Sequence, residues 1–166
     1  GVTPPEAELL RLLIAAPAER LRVRDVLVDQ LFTSGLARSL WRGLRAALDT
    51  ALEGQQTPDA LERLPSTIDG EERRLAQALA SRIGATPEPT RIRIGIDQTI
   101  LRLEADRLEE AMAWSRSEIA DAEREGDSVR VRALMEAGRE LGQRRKALDR
   151  RLLASGVLTA AKGGKR

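Results

Sequence analysis

The stretch from Asp97 to Leu152, DQTILRLEADRLEEAMAWSRSEIADAEREGDSVRVRALMEAGRELGQRRKALDRRL, carries two runs of apolar residues broken by Glu125-Gly126-Asp127-Ser128. In the first run the stripe is Leu101, Ala105, Leu108, Met112, Ser115, Ile119 and Ala122. In the second it is Val131, Leu134, Gly138, Leu141, Arg145, Leu148 and Leu152. Alternate steps of four and three keep one narrow stripe facing a neighbour, as in helices packed side by side at a shallow angle. Gly126 suits the left-handed conformation that ends a helix, and Asp127 or Ser128 can cap the next one. The pattern predicts a long antiparallel helical hairpin. Ser115, Gly138 and Arg145 thin its seam, so such a pair of arms has little core and serves best to present a surface to another protein.

Upstream, shorter amphipathic helices are expected. Thr3-Pro4-Pro5-Glu6 reads as a capping box with prolines in the first turn, opening a helix that buries Leu9, Leu10, Leu13 and Ile14 and closes at Pro17. A second helix, about Ala18 to Gln30, would bury Leu21, Val26, Leu27 and Leu31. A third, Leu36 to Glu53, would bury Leu36, Leu40, Trp41, Leu44, Leu48 and Ala51 and end at Gly54. Thr57-Pro58 would start a short fourth through Leu61 and Leu64. Asp69 and Glu72 would box the fifth, with Leu75, Leu79 and Ile83 inward and Gly84 at its end. Ile92, Ile94 and Ile96 alternate like a strand, but the run is short and has no partner. Ile92, Ile96, Ile100 and Leu103 also share one helical face. A single helix from near Arg91 to Glu125 is therefore expected, roughly 50 Å long and projecting from the first bundle.

Composition points the same way. The only aromatic residues are Phe32, Trp41 and Trp114, and there is no Tyr, so the core must be Leu, Ile, Val and Ala, which favours helices over sheet. The fold class is all-α: a multi-helix bundle over residues 1–95, a long helix and hairpin over 96–155, and a flexible basic tail over 156–166. Cys and His are both absent, which removes disulfides, thiolate or imidazole metal sites, and Cys- or His-based catalysis. No apolar run approaches the roughly 20 residues of a membrane span, and a cytoplasmic location is expected. The chain opens on Gly1 rather than Met, which points to a piece of a longer protein.

Chemistry-bearing motifs are weak. Neither GxxxxGK[ST] nor GxGxxG occurs, and Lys162-Gly163-Gly164-Lys165 has no strand before it. Glu71-Glu72 and Glu109-Glu110 are adjacent on helices, where neighbours point about 100° apart, so a solvated face explains them better than a metal. Trp41 lies on an apolar stripe and reads as core. Trp114 points away from the seam, with Arg116 close by, and Trp and Arg are enriched at binding hot spots. Val129, Met135 and Leu153 also fall off the seam. No enzyme activity, cofactor or metal is expected.

The order of motifs is that of a known family. A leucine-rich helix stopped by proline (Glu8 to Pro17) is followed by Phe32 and by a helix around Leu40-Trp41-Arg42-Gly43-Leu44 ending in Glu53-Gly54. Then come the long helix with Leu101-Arg102-Leu103-Glu104-Ala105-Asp106-Arg107-Leu108-Glu109 and the turn region Ala122 to Asp127. From about Pro5 to Ala154 the chain resembles the C-terminal, helicase-interacting domain of bacterial DnaG-type primases. The resemblance implies a bundle subdomain joined to a hairpin, docking on the N-terminal domains of the hexameric DnaB-type replicative helicase. It also implies a primase, a DNA-directed RNA polymerase, whose zinc-binding and polymerising domains lie upstream of this piece. The expected contact residues are Trp114, Val129, Arg132, Met135, Arg139, Leu152 and Leu153, with Arg132 and Arg139 at the rim, on a chain that is monomeric alone. The competing reading is another helical adaptor, the helicase N-terminal domain itself or a helicase loader. Direct nucleic-acid binding is not expected: net charge is only +2 and the signs interleave along the helices.

Overall fold

The computed structural model describes residues 1–57, 60–85 and 88–155. Six α-helices follow in order: α1 (Pro4–Ala15), α2 (Pro17–Val23), α3 (Gly35–Glu53), α4 (Gly70–Ala80), α5 (Pro89–Arg124) and α6 (Ser128–Ala154). A 3-10 turn, Asp29–Leu31, lies between α2 and α3, and no strand occurs among the described residues. The fold is all-α. The expected start of a helix at Pro58, and the tail 156–166, lie outside the described residues. The chain divides into two compact units, Gly1–Leu103 and Glu104–Arg166, with the boundary inside α5.

The first unit holds the main core. The Thr3 hydroxyl accepts from the Glu6 backbone N–H while the Thr3 N–H donates to the Glu6 carboxylate, which is the capping box in full. Glu6 is buried and does a second job. Its other carboxylate oxygen accepts from the backbone N–H groups of Thr33 and Ser34, tying the start of α1 to the turn before α3. Around α1 the core gathers Leu9, Leu10, Leu13, Ile14, Phe32, Leu40, Trp41 and Leu44, and α1 contacts α2, α3 and α4.

The second helix is shorter than the expected Ala18 to Gln30, and two of its expected core residues, Leu21 and Val26, are exposed. The helix stops at Val23, a turn covers Arg24 to Val26, and at the extended Val28 the chain heads away, with the Trp41 indole N–H donating to the Leu27 carbonyl at 2.9 Å. Arg20 lies inside instead. Pro17 has no N–H to offer the Leu13 carbonyl four residues earlier, and the Arg20 Nε fills that vacancy at 2.8 Å. The rest of its guanidinium donates to the carbonyls of Glu62 (3.0 Å) and Arg63 (2.5 Å).

Leu61 to Leu64 belong to no helix, and Arg20 holds this segment by donating to the Glu62 and Arg63 carbonyls. Asp69 precedes α4 without a side-chain cap, and α4 ends at Ala80, short of Gly84, with Ala76 and Leu79 fully inward and Leu75 and Ile83 only partly buried. Leu36 and Ala51 are likewise only half-buried. Through the isoleucine run the helical reading holds: Ile92, Ile96, Ile100 and Leu103 join the core while Ile94 is exposed. Gly95 is a tight point of this helix against α1. A Cβ on it would sit 3.1 Å from a Leu12 methyl, so its absence lets α1 and α5 approach closely.

Candidate docking surface

The second unit is built from the later turns of α5 and from α6. Gly126 takes φ +71°, and two backbone bonds close the end of α5: Gly126 N–H to Glu123 O and Asp127 N–H to Ala122 O, both 3.1 Å. This is the left-handed glycine stop with its paired bonds. Of the two candidate caps, Asp127 fills the role by accepting from the Arg130 N–H at 3.0 Å. The helices on either side run antiparallel, as their ion pairs record: Arg130 with Glu118 (3.8 Å), Arg145 with Glu109 (2.5 Å) and Arg151 with Glu104 (2.8 Å). Midway, the position of a Cβ on Gly138 lies 3.5 Å from the Ser115 hydroxyl. Arg145, an oddity on an apolar stripe, also pairs with Asp149 at 3.1 Å and so bridges its own helix to the other.

Burial along these helices follows the four-three stripe. Ala105, Leu108, Met112, Ser115 and Ile119 are half-buried and Ala122 is fully buried. On α6, Val131, Leu134, Gly138, Leu141 and Arg145 are half-buried, with Leu148 and Leu152 buried. Little apolar surface is left over for a separate core.

Beside the turn a cavity of about 390 Å³ is lined by Glu123, Gly126, Ser128, Val131, Arg132, Met135 and Arg139. Val131 and Met135 give it an apolar floor, and Arg132 and Arg139 flank them with exposed guanidiniums. Arg139 pairs with Glu136 at 3.3 Å, an exposed contact that contributes little to stability. Three of the seven sequence-derived contact residues, Arg132, Met135 and Arg139, therefore come together. Trp114, Val129 and Leu153 are exposed, by 68%, 79% and 51%, but do not line this cavity. Leu152 is a correction: it is 4% exposed, because the stripe that buries Leu148 turns the residue four positions later inward too. Val131 and Glu123 also line this cavity and are not among the expected contact residues. Their signal was the register across Gly126, which brings the last turn of α5 beside the first of α6.

A second cavity, about 520 Å³, lies in the first unit between α3 and residues 60–67, with Arg20 in its wall. Burial with no carboxylate beside it lowers the Arg20 guanidinium to about 10, so it remains cationic at neutral pH. Each of its three nitrogens already donates to a carbonyl, which makes it a strut rather than a ligand-binding group. Among the described residues, no group of three or more Asp or Glu side chains is placed to hold a metal, and no helix is long and apolar enough to cross a membrane. Comparison with protein-family models, curated proteins and solved structures gives no match to this chain.

Proposed function

We propose that this chain is a non-catalytic docking module, the helicase-binding domain of a bacterial primase, in which a bundle and a helical hairpin couple primer synthesis to the replicative helicase. The observation that carries the reading is the groove at the hairpin turn. Val131 and Met135 between Arg132 and Arg139 give an apolar centre, solvent-exposed at Met135, with a polar rim, the composition of a patch that a protein partner would desolvate. The sequence resemblance supplies the partner, the N-terminal domains of a hexameric DnaB-type helicase. Docking at a hairpin tip needs no catalytic group, in keeping with a chain that lacks Cys and His.

The direct test is titration of the helicase N-terminal domain into this chain by calorimetry. Binding is expected, with Met135→Asp weakening it at least tenfold and Trp114→Ala weakening it less, since Trp114 lies outside the groove. Loss of affinity on Trp114→Ala but not on Met135→Asp would move the contact to the other flank. No binding by the unmodified chain would remove the helicase from the reading altogether.

A further inference from the structure

Acidic and basic residues interleave locally, but their balance differs between the two helices. From Glu104 to its end α5 carries seven acidic residues against three basic, whereas α6 carries eight basic residues against three acidic. The acids of α6 are largely spoken for, Glu136 beside Arg139 and Asp149 beside Arg145. Of its eight cations, Arg130, Arg139, Arg145 and Arg151 pair with carboxylates, whereas among the described residues Arg132, Arg144, Lys146 and Arg150 do not. Arg132, Arg139, Lys146 and Arg150 follow one another at steps of seven, seven and four, which places all four on one face of a helix. All four are exposed, and among the described residues no carboxylate pairs with Arg132, Lys146 or Arg150. At 1.5 Å per residue the row is about 27 Å long.

We propose that this face of α6 binds the phosphate backbone of duplex nucleic acid without reading its sequence. A rigid row of solvated cations matches a duplex edge, which carries one negative charge per roughly 1.7 Å of axis. Between Arg139 and Arg150 no large exposed hydrophobic residue lies on α6, so this part of the row lacks the apolar anchor that a folded protein partner would need. Phosphate contacts require no such anchor. Single strands are a poorer match, because they are gripped by stacking on aromatic rings and α6 contains none. Past Asp149 the sequence is one-signed to its end, with Arg150, Arg151, Lys162, Lys165 and Arg166 and no further acid. The proposal is independent of the helicase reading and reverses the expectation drawn from interleaved charge.

The test is fluorescence anisotropy of a labelled 24-base-pair DNA duplex titrated with the full chain. Micromolar affinity is expected at 50 mM salt, falling about 100-fold by 200 mM, the slope for about four phosphate contacts. Lys146→Glu with Arg150→Glu should weaken binding at least tenfold and lower the salt slope by about two, while Arg74→Glu, exposed on α4, should leave it unchanged. Circular dichroism of each variant checks that the fold survives. No binding at 50 mM salt, an unaffected double variant, or equal sensitivity to Arg74→Glu would overturn the proposal. So would tighter binding of a single strand of the same length, or poly-glutamate competing as well as duplex does.

Discussion

Arg20 and Glu6 are the two charged side chains that the first unit takes inside, and both are held by backbone groups rather than by a counter-ion. Arg20 serves three carbonyls from two separate segments, one of them orphaned by Pro17. Replacing it with Met fills the volume but leaves those carbonyls buried and unpaired, which costs roughly 1–3 kcal/mol for each that water cannot reach. Arg20→Met should therefore destabilise by about 2–5 kcal/mol in urea titration. A loss below about 0.5 kcal/mol would mean that water replaces the guanidinium. For Glu6, burial raises its carboxyl pKa, but the backbone N–H groups of Thr3, Ser34 and Thr33 outweigh it and hold the group below its ordinary value of 4.5. A carboxylate depressed on folding contributes stability above its unfolded pKa and loses that contribution as pH falls through the folded value. Stability should thus decline below about pH 4.5. In Glu6→Gln that part of the acid dependence should vanish, together with about 1–3 kcal/mol at neutral pH. Urea midpoints measured across pH 3–7 check both.

At the scale of elements, α5 shows a helix winning over a local preference for strand. Isoleucine alternation favours extended chain, yet Ile92, Ile96, Ile100 and Leu103 can all reach one core only if the backbone is helical. Gly95 is the point where that helix meets α1. Adding a side chain there gains helix propensity of up to about 1 kcal/mol, but it drives a Cβ against Leu12, which is itself buried. A β-branched side chain makes the conflict decisive: Gly95→Val should lower stability by about 1–3 kcal/mol, read as a drop in thermal midpoint. Gly126 works differently. Nothing crowds its Cβ position, so the strain of Gly126→Ala would come only from φ +71°. The expected loss is about 1 kcal/mol, confined to the α5–α6 turn and visible as faster amide exchange at Asp127 and Ser128.

For the whole molecule, the two units differ in how much apolar surface each buries. The first assembles one cluster from Leu9 through Leu103, whereas from Glu104 onward only Ala122, Leu148 and Leu152 are buried hydrophobics among the described residues. Local stability follows buried contact. Amides at the centre of α1 and α3 should therefore exchange with the free energy of global unfolding, and those between Val131 and Leu141 should exchange faster. Uniform protection along α3 and α6 would show a single cooperative unit. The contrast also bears on use: a thin two-helix surface whose groove residues are exposed can gain a partner without first dismantling a core.

Helix type, the turn at Gly126, the capping box at Thr3 and the inward stripes of α3, α5 and α6 were all legible in the sequence, whereas the short helix expected through Leu61 and Leu64 does not form. Each of the legible features depends on residues within one or two turns of one another. Where α2 stops was not legible, since no proline or glycine follows Val23 to mark it. Nor was the burial of Arg20, whose partners lie 42 and 43 residues on. Of the expected contact surface, Arg132, Met135 and Arg139 could be read from their offset against the stripe. That Trp114 lies outside the groove was decided only when the chain folded. Distance in space sets which charges and carbonyls meet, and linear order does not record it.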